Sequence, residues 1–171
     1  MQHEVTVVQK LLDQQGYVVT PGWARRPVWQ YNRENIAAPS FRIKEWDYYM
    51  AVGEHYAAAF TLSDLGYAGL VSVSLIDLAE RKEHTETILT AMPMGRLGLG
   101  RTSDDGNADF RNGRIHLRYT VKPHRRRIQC VFHDFQDGKT LTAYLLMKQP
   151  EMDSICIATP WKEKPKAFYY N

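Results

Sequence analysis

Between Phe41 and Leu78 the chain reads FRIKEWDYYMAVGEHYAAAFTLSDLGYAGLVSVSLIDL. β-Branched and aromatic residues recur there at every second position, and short polar or glycine-containing breaks separate the runs. That is the pattern of consecutive antiparallel strands, and it leaves no place for a helix-rich fold.

Alternation sorts the first of these strands into two faces. Lys44, Trp46, Tyr48, Met50 and Val52 share one; Phe41, Ile43, Glu45, Asp47, Tyr49 and Ala51 share the other. Glu45 and Asp47 therefore stand about 7 Å apart on the same side. If that side is interior, desolvation and mutual repulsion raise at least one of the two carboxyl pKa values. The plainer reading is that this face meets solvent, or that Lys44 and nearby arginines neutralise the pair, since ion pairs perturb carboxylates without any catalysis.

The rest of the chain continues the pattern. Residues 4–15 carry Val5, Val8, Leu11 and Leu12 at helical spacing with Gly16 as a stop, whereas the run VTVV suits an extended arm. Residues 20–39 contain three prolines and no steady period. They read as a long ordered loop, anchored by Trp23, Trp29 and Tyr31, that packs over an open end as a lid. Strands are predicted over 55–63, 67–78, 84–92, 114–122, 140–148 and 153–158, with RRRIQCVFHDF forming another. Asp64-Leu65-Gly66 and Asp137-Gly138 supply tight turns. Residues 93–113 are rich in glycine but lack a phosphate-loop lysine and the spacing of a calcium loop, and read as a flexible connection.

Composition bounds the partners. A chain of 171 residues is most simply one domain, able to bury roughly 70% of its unfolded surface without staples. The net charge of +3 does not call for nucleic acid. The cluster Arg125, Arg126 and Arg127 reads as a solvated strand edge that resists aggregation. No run approaches the length of a membrane span, and the N-terminus has no apolar signal core. Cys130 and Cys156 lie in apolar strand patterns and match no metal spacing. They read as buried reduced thiols of a cytoplasmic protein, with a disulfide between adjacent strands as the alternative. The scattered histidines point to no metal site, and no cofactor motif is present.

About eight or nine sequential strands with short connections favour an all-β, up-and-down antiparallel barrel or a strongly curved meander, with a short N-terminal helix or arm. Four stretches, TPGWARRPVWQYNRENI, RIKEWDYY, TLSDLGYAGLVSVSLIDL and IATPWKEKPKAFYYN, resemble a bacterial family described as domain of unknown function two-eight-zero-four. The resemblance runs from Thr20 to Asn171. It implies a lipocalin-like (calycin-type) barrel, distantly similar to the hydroxyneurosporene synthase (carotenoid hydratase) group with its paired barrels. The lipocalin Gly-x-Trp is absent, because Gly22 and Trp23 are adjacent. The family pattern continues beyond FYYN, so residues 1–171 are expected to form the N-terminal half of a two-domain protein. A C-terminal barrel domain would then cover the apolar end at Phe168, Tyr169 and Tyr170, and two copies pairing through that end is the alternative.

Two functions follow. The first is a binding module for a hydrophobic or amphipathic small molecule, lipid or isoprenoid in kind. Trp46, Tyr48, Tyr49, Tyr56 and Phe60 would line it, with Trp23 and Trp29 near the mouth. The same aromatics equally suit a filled core. The second is a hydratase or isomerase in which Glu45 and Asp47 form the acid/base pair and Tyr48 or Tyr49 steadies a developing cation.

Overall fold

The computed structural model describes residues 3–171. Its N-terminal arm is extended. β1 (Gln9–Lys10), β2 (Gly22–Ala24) and β3 (Trp29–Gln30) are short, and β1 runs parallel to β3. The backbone N–H groups of Val5, Gln9 and Leu11 donate to Trp23, Val28 and Gln30 carbonyls at 2.8–3.2 Å. These donors, which a helix would satisfy internally, find their acceptors in residues 20–30 instead, so the arm and the supposed loop order each other. The loop does not close over a strand end as a lid. Trp29 is buried, its indole N–H donating to the Thr20 carbonyl at 3.2 Å, and Trp23 pairs within β2.

Four strands then form one antiparallel meander: β4 (Glu45–Val52), β5 (Tyr56–Asp64), β6 (Ala68–Asp77) and β7 (Lys82–Ala91). Its register places Asp47 opposite Leu62, Tyr49 opposite Phe60 and Ala51 opposite Ala58. Odd-numbered residues of β4 therefore share their face with even-numbered residues of β5. At the β5–β6 turn Gly66 has φ +80°, and a Cβ there would stand 2.3 Å from the Phe41 carbonyl oxygen. Asp64, fully buried, accepts from the Gly66 N–H at 2.9 Å and from the Gly95 N–H at 2.6 Å.

A second meander follows, made of β8 (Ala108–Arg111), β9 (Ile115–Lys122), β10 (Arg125–Gln136) and β11 (Lys139–Lys148). The Asp137-Gly138 turn joins the last two, both residues at positive φ, as a tight hairpin of this type requires. The segment before β8 is tied down at several points. Leu97 and Leu99 pack on the core, Arg101 bridges to Glu34 at 3.1 Å, and β8 itself pairs with β9. A freely flexible connection is thereby corrected to an anchored one.

The two meanders stack face to face. Phe60, Leu62, Val71 and Val73 from the first meet Ile115, Leu117, Tyr119, Ile128, Cys130 and Phe132 from the second, all essentially sealed from solvent. No strand pairing joins β7 to β8 or β4 to β11 among the described residues, so the sheets form antiparallel meanders without closing into a barrel. β12 (Cys156–Trp161) pairs with β13 (Lys164–Tyr170) on one side and with β2 on the other, making a further three-stranded sheet. It holds a separate core of Val5, Leu11, Leu12, Val28, Trp29 and Ala158, against which Tyr31 and Tyr170 pack. Cys130 and Cys156 are free and belong to different cores. No helix among the described residues is long and apolar enough to cross a membrane.

Candidate functional site

Alternation along β10 decides where its arginines go. Ile128, Cys130 and Phe132 face the core, so Arg126, two residues earlier, faces inward as well. Arg125 and Arg127 point outward, with Arg127 over the Tyr144 ring at 5.6 Å. The reading of all three as a solvated edge is corrected for Arg126. Its Nε donates to Gln149 Oε1 at 2.8 Å, its Nη1 to the Tyr49 hydroxyl at 2.8 Å and its Nη2 to the Ser103 carbonyl at 2.7 Å. The guanidinium also lies 5.6 Å from the Tyr49 ring centre. Sequence reasoning missed this residue although its phase with Ile128 was available.

Across from Arg126, on the inner face of β4, stands Asp47. Its Oδ2 is buried and has no hydrogen-bond partner among the described residues. Burial holds this carboxyl above its ordinary pKa; Arg126 pulls it back and the charge of Glu45 pushes it further up. Tyr49, two residues on, is likewise raised, first by burial. Behind it the Tyr119 ring meets Tyr49 edge-on with centres 4.7 Å apart, and its hydroxyl is also buried without a partner among the described residues. Burial raises that phenol too.

Glu45 has a different environment. The Tyr31 hydroxyl donates to its Oε1 and Arg33 Nη1 to its Oε2, while Arg33 Nη2 reaches the Ser40 carbonyl at 3.1 Å. Arg33 and Glu45 side chains are 15% and 18% exposed, so the pair is mostly withdrawn from water. Burial, and then the bond to Glu45, raise the Tyr31 pKa. The two carboxylates of the KEWDYY stretch thus divide: Glu45 clamps the 31–40 segment to β4, and Asp47 keeps its buried Oδ2 without a partner among the described residues.

The aromatic residues divide as well. Trp46 and Tyr48 are exposed on the outer side of β4, Trp46 with its ring 6.1 Å from Tyr169. Phe60 is fully buried between the meanders, and Tyr56 is exposed at the start of β5. Trp46, Asp47, Tyr48 and Tyr49 border a cleft of about 370 Å³, closed by Arg126, by Thr102, Ser103 and Gly106 of the loop, and by Asn171. Tyr56, Phe60, Trp23 and Trp29 do not reach it. Since four consecutive β4 residues from both faces line it, the cleft runs along the free edge of this edge strand. Among the described residues no cluster of three or more metal-ligating side chains occurs.

The class defined by these observations is an all-β protein of two stacked antiparallel meanders, with a polar cleft where an edge strand meets the second sheet. The chain belongs to the family described as Domain of unknown function (DUF2804), whose model matches residues 2–171. No curated protein matches it.

Proposed function

We propose that the domain is a binding module for a small amphipathic molecule, seated in the cleft along β4. What supports the reading is one juxtaposition: a desolvated carboxyl with an unpartnered oxygen, Asp47, faces a guanidinium, Arg126, beneath exposed aromatic rings. A few placed polar groups beside apolar surface are the usual form of a small-molecule site, and the volume lies in the range such sites occupy. The space between the meanders is filled by Phe60, Leu62, Phe132 and their neighbours, so the ligand sits at the edge of the sandwich and its tail runs over Trp46 and Tyr48. Native mass spectrometry and calorimetry with single-chain amphiphiles test it. Saturable one-to-one binding that weakens in Trp46→Ala and Tyr48→Ala supports the module; no binding by any amphiphile, charged or neutral, removes it.

A second reading is favoured by the raised pKa of Asp47. A carboxyl whose pKa is raised is moved toward the range in which it serves as a general acid. It would protonate an alkene carbon; water would add to the resulting cation, stabilised by the Tyr49 ring face, and return a proton to the carboxylate. Glu45, held by Tyr31 and Arg33, would then act on Asp47 through its charge. Deuterium incorporation from heavy water into an alkene substrate, lost in Asp47→Asn, is the outcome required. Its absence across isoprenoid alkenes leaves binding alone.

A further inference from the structure

Resting on the binding-module reading, we infer that the polar end of the ligand is a single carboxylate, received by Arg126 and the free edge of β4.

The argument is a count of donors and acceptors. A guanidinium offers five N–H groups. Three are used on Gln149, Tyr49 and Ser103, which holds the planar fork in place and leaves two N–H groups without a partner among the described residues. The Tyr49 hydroxyl accepts from Arg126 and donates its own hydrogen to nothing described. Along the outer edge of β4 the outward backbone N–H and C=O groups are paired by no strand among the described residues. Among the described residues, Asp47 is the only carboxylate side chain bordering the cleft. A fixed cation with two N–H groups left over calls for a ligand that brings acceptors and negative charge.

The carboxylate is selected over other anions by the same count. Two remaining N–H groups of one guanidinium match the two oxygens of a carboxylate, the planar pairing that gives such contacts their strength. A phosphate monoester carries up to two charges and three acceptor oxygens, and its extra charge would lie beside Asp47. A ligand carboxylate instead sits next to Asp47 as one member of a pair that shares a proton, because two like charges in one site cannot both ionise freely. Glu45 is neutralised by Arg33 on its far side, so Arg126 remains the cation this pair faces.

The experiment is calorimetric titration of the full chain with three probes of equal tail length: decanoate, decanol and decyl phosphate, each below its aggregation threshold. Decanoate is expected to bind at least about ten-fold more tightly than either of the others, the scale of a charge-assisted bidentate contact. In Arg126→Gln the advantage of decanoate over decanol disappears. The comparison of probes on the unaltered protein decides the matter even if that variant folds poorly. Decanol binding as tightly as decanoate overturns the carboxylate while the binding module stands. Decyl phosphate binding most tightly overturns it in favour of a phosphate head, and failure of all three removes the binding module itself.

Discussion

Arg126 Nη1 donates to the Tyr49 hydroxyl across 2.8 Å, and this bond crosses from the second meander to the first at the end where the cleft opens. The two residues are 77 positions apart in the chain, so the contact exists only once both sheets have formed and stacked. Tyr49 is gripped in turn by the edge of the Tyr119 ring. A guanidinium fixed at three points loses little freedom when a ligand arrives, which is the condition for a preorganised site.

The fully buried Phe60 and the exposed Trp46 and Tyr48 carry opposite expectations. Phe60→Ala leaves a cavity between the meanders and should cost about 3–5 kcal/mol of stability. Trp46→Ala and Tyr48→Ala remove rings that face water and should each cost less than about 1 kcal/mol. Urea denaturation of the three variants separates core from cleft, and an equal cost at all three positions contradicts the placement.

Glu45, Tyr31 and Arg33 form a clamp whose loss should be felt as a unit. Removing one partner of a largely buried ion pair leaves the other uncompensated, so Glu45→Ala should destabilise by roughly 2–4 kcal/mol. Arg33→Ala should cost a similar amount, and the double variant clearly less than the sum, because the ion pair is already gone when the second partner is removed. Additive losses in equilibrium unfolding would show that the pair is not coupled.

How much of this was legible beforehand differs by element. Alternation within KEWDYY put Glu45, Asp47 and Tyr49 on one face, and that is the inner face observed. The Asp-Gly hairpin needs only local chemistry, and it formed where expected. Grouping Trp46 and Tyr48 with Phe60 failed for a non-local reason. The face a residue of β5 shares with β4 depends on the parity of the hairpin register, and a shift of one residue reverses it. Observed pairing sets Tyr49 opposite Phe60, so Phe60 lies with the inner set. Whether sequential strands close into a barrel or stack as two sheets is decided by the 93–107 connection and by packing across the core, neither of which leaves a period in the sequence. The partners of Glu45 lie 12 and 14 residues earlier in the irregular 20–39 stretch, where no pattern specifies distance.

Two turn glycines provide a controlled comparison. Gly66 and Gly138 both adopt positive φ, at +80° and +74°. A Cβ at Gly138 meets nothing within 4 Å, so Gly138→Ala should cost only the strain of the left-handed conformation, about 1 kcal/mol. At Gly66 the same atom meets the Phe41 carbonyl at 2.3 Å. The backbone must move, and the Asp64 bonds that tie this turn to Gly95 move with it. Gly66→Ala should therefore lower the melting temperature by at least twice the shift seen for Gly138→Ala. Equal shifts in a thermal scan would count against the close approach.

The Asp47 carboxyl makes stability depend on pH in a direction that can be derived. Burial raises its pKa in the folded chain above the value of 3.8 for a free aspartate, with Arg126 opposing and Glu45 assisting. Between those two values the folded state holds a proton that the unfolded state has released, so stability falls as pH rises through that window. Below the ordinary value both states are protonated and the effect vanishes; above the raised value it is constant. Asp47→Asn cannot ionise, so its stability relative to the unaltered protein should grow across the window and then level. The plateau should be on the order of 1 kcal/mol, the usual cost of a buried polar group without a partner. Repeating the comparison in Arg126→Gln should widen the window, since the cation that lowers the Asp47 pKa is gone. Urea midpoints from pH 4 to 8 measure both. A difference that shrinks with rising pH would mean that a stabilising partner, and not desolvation, controls this carboxyl.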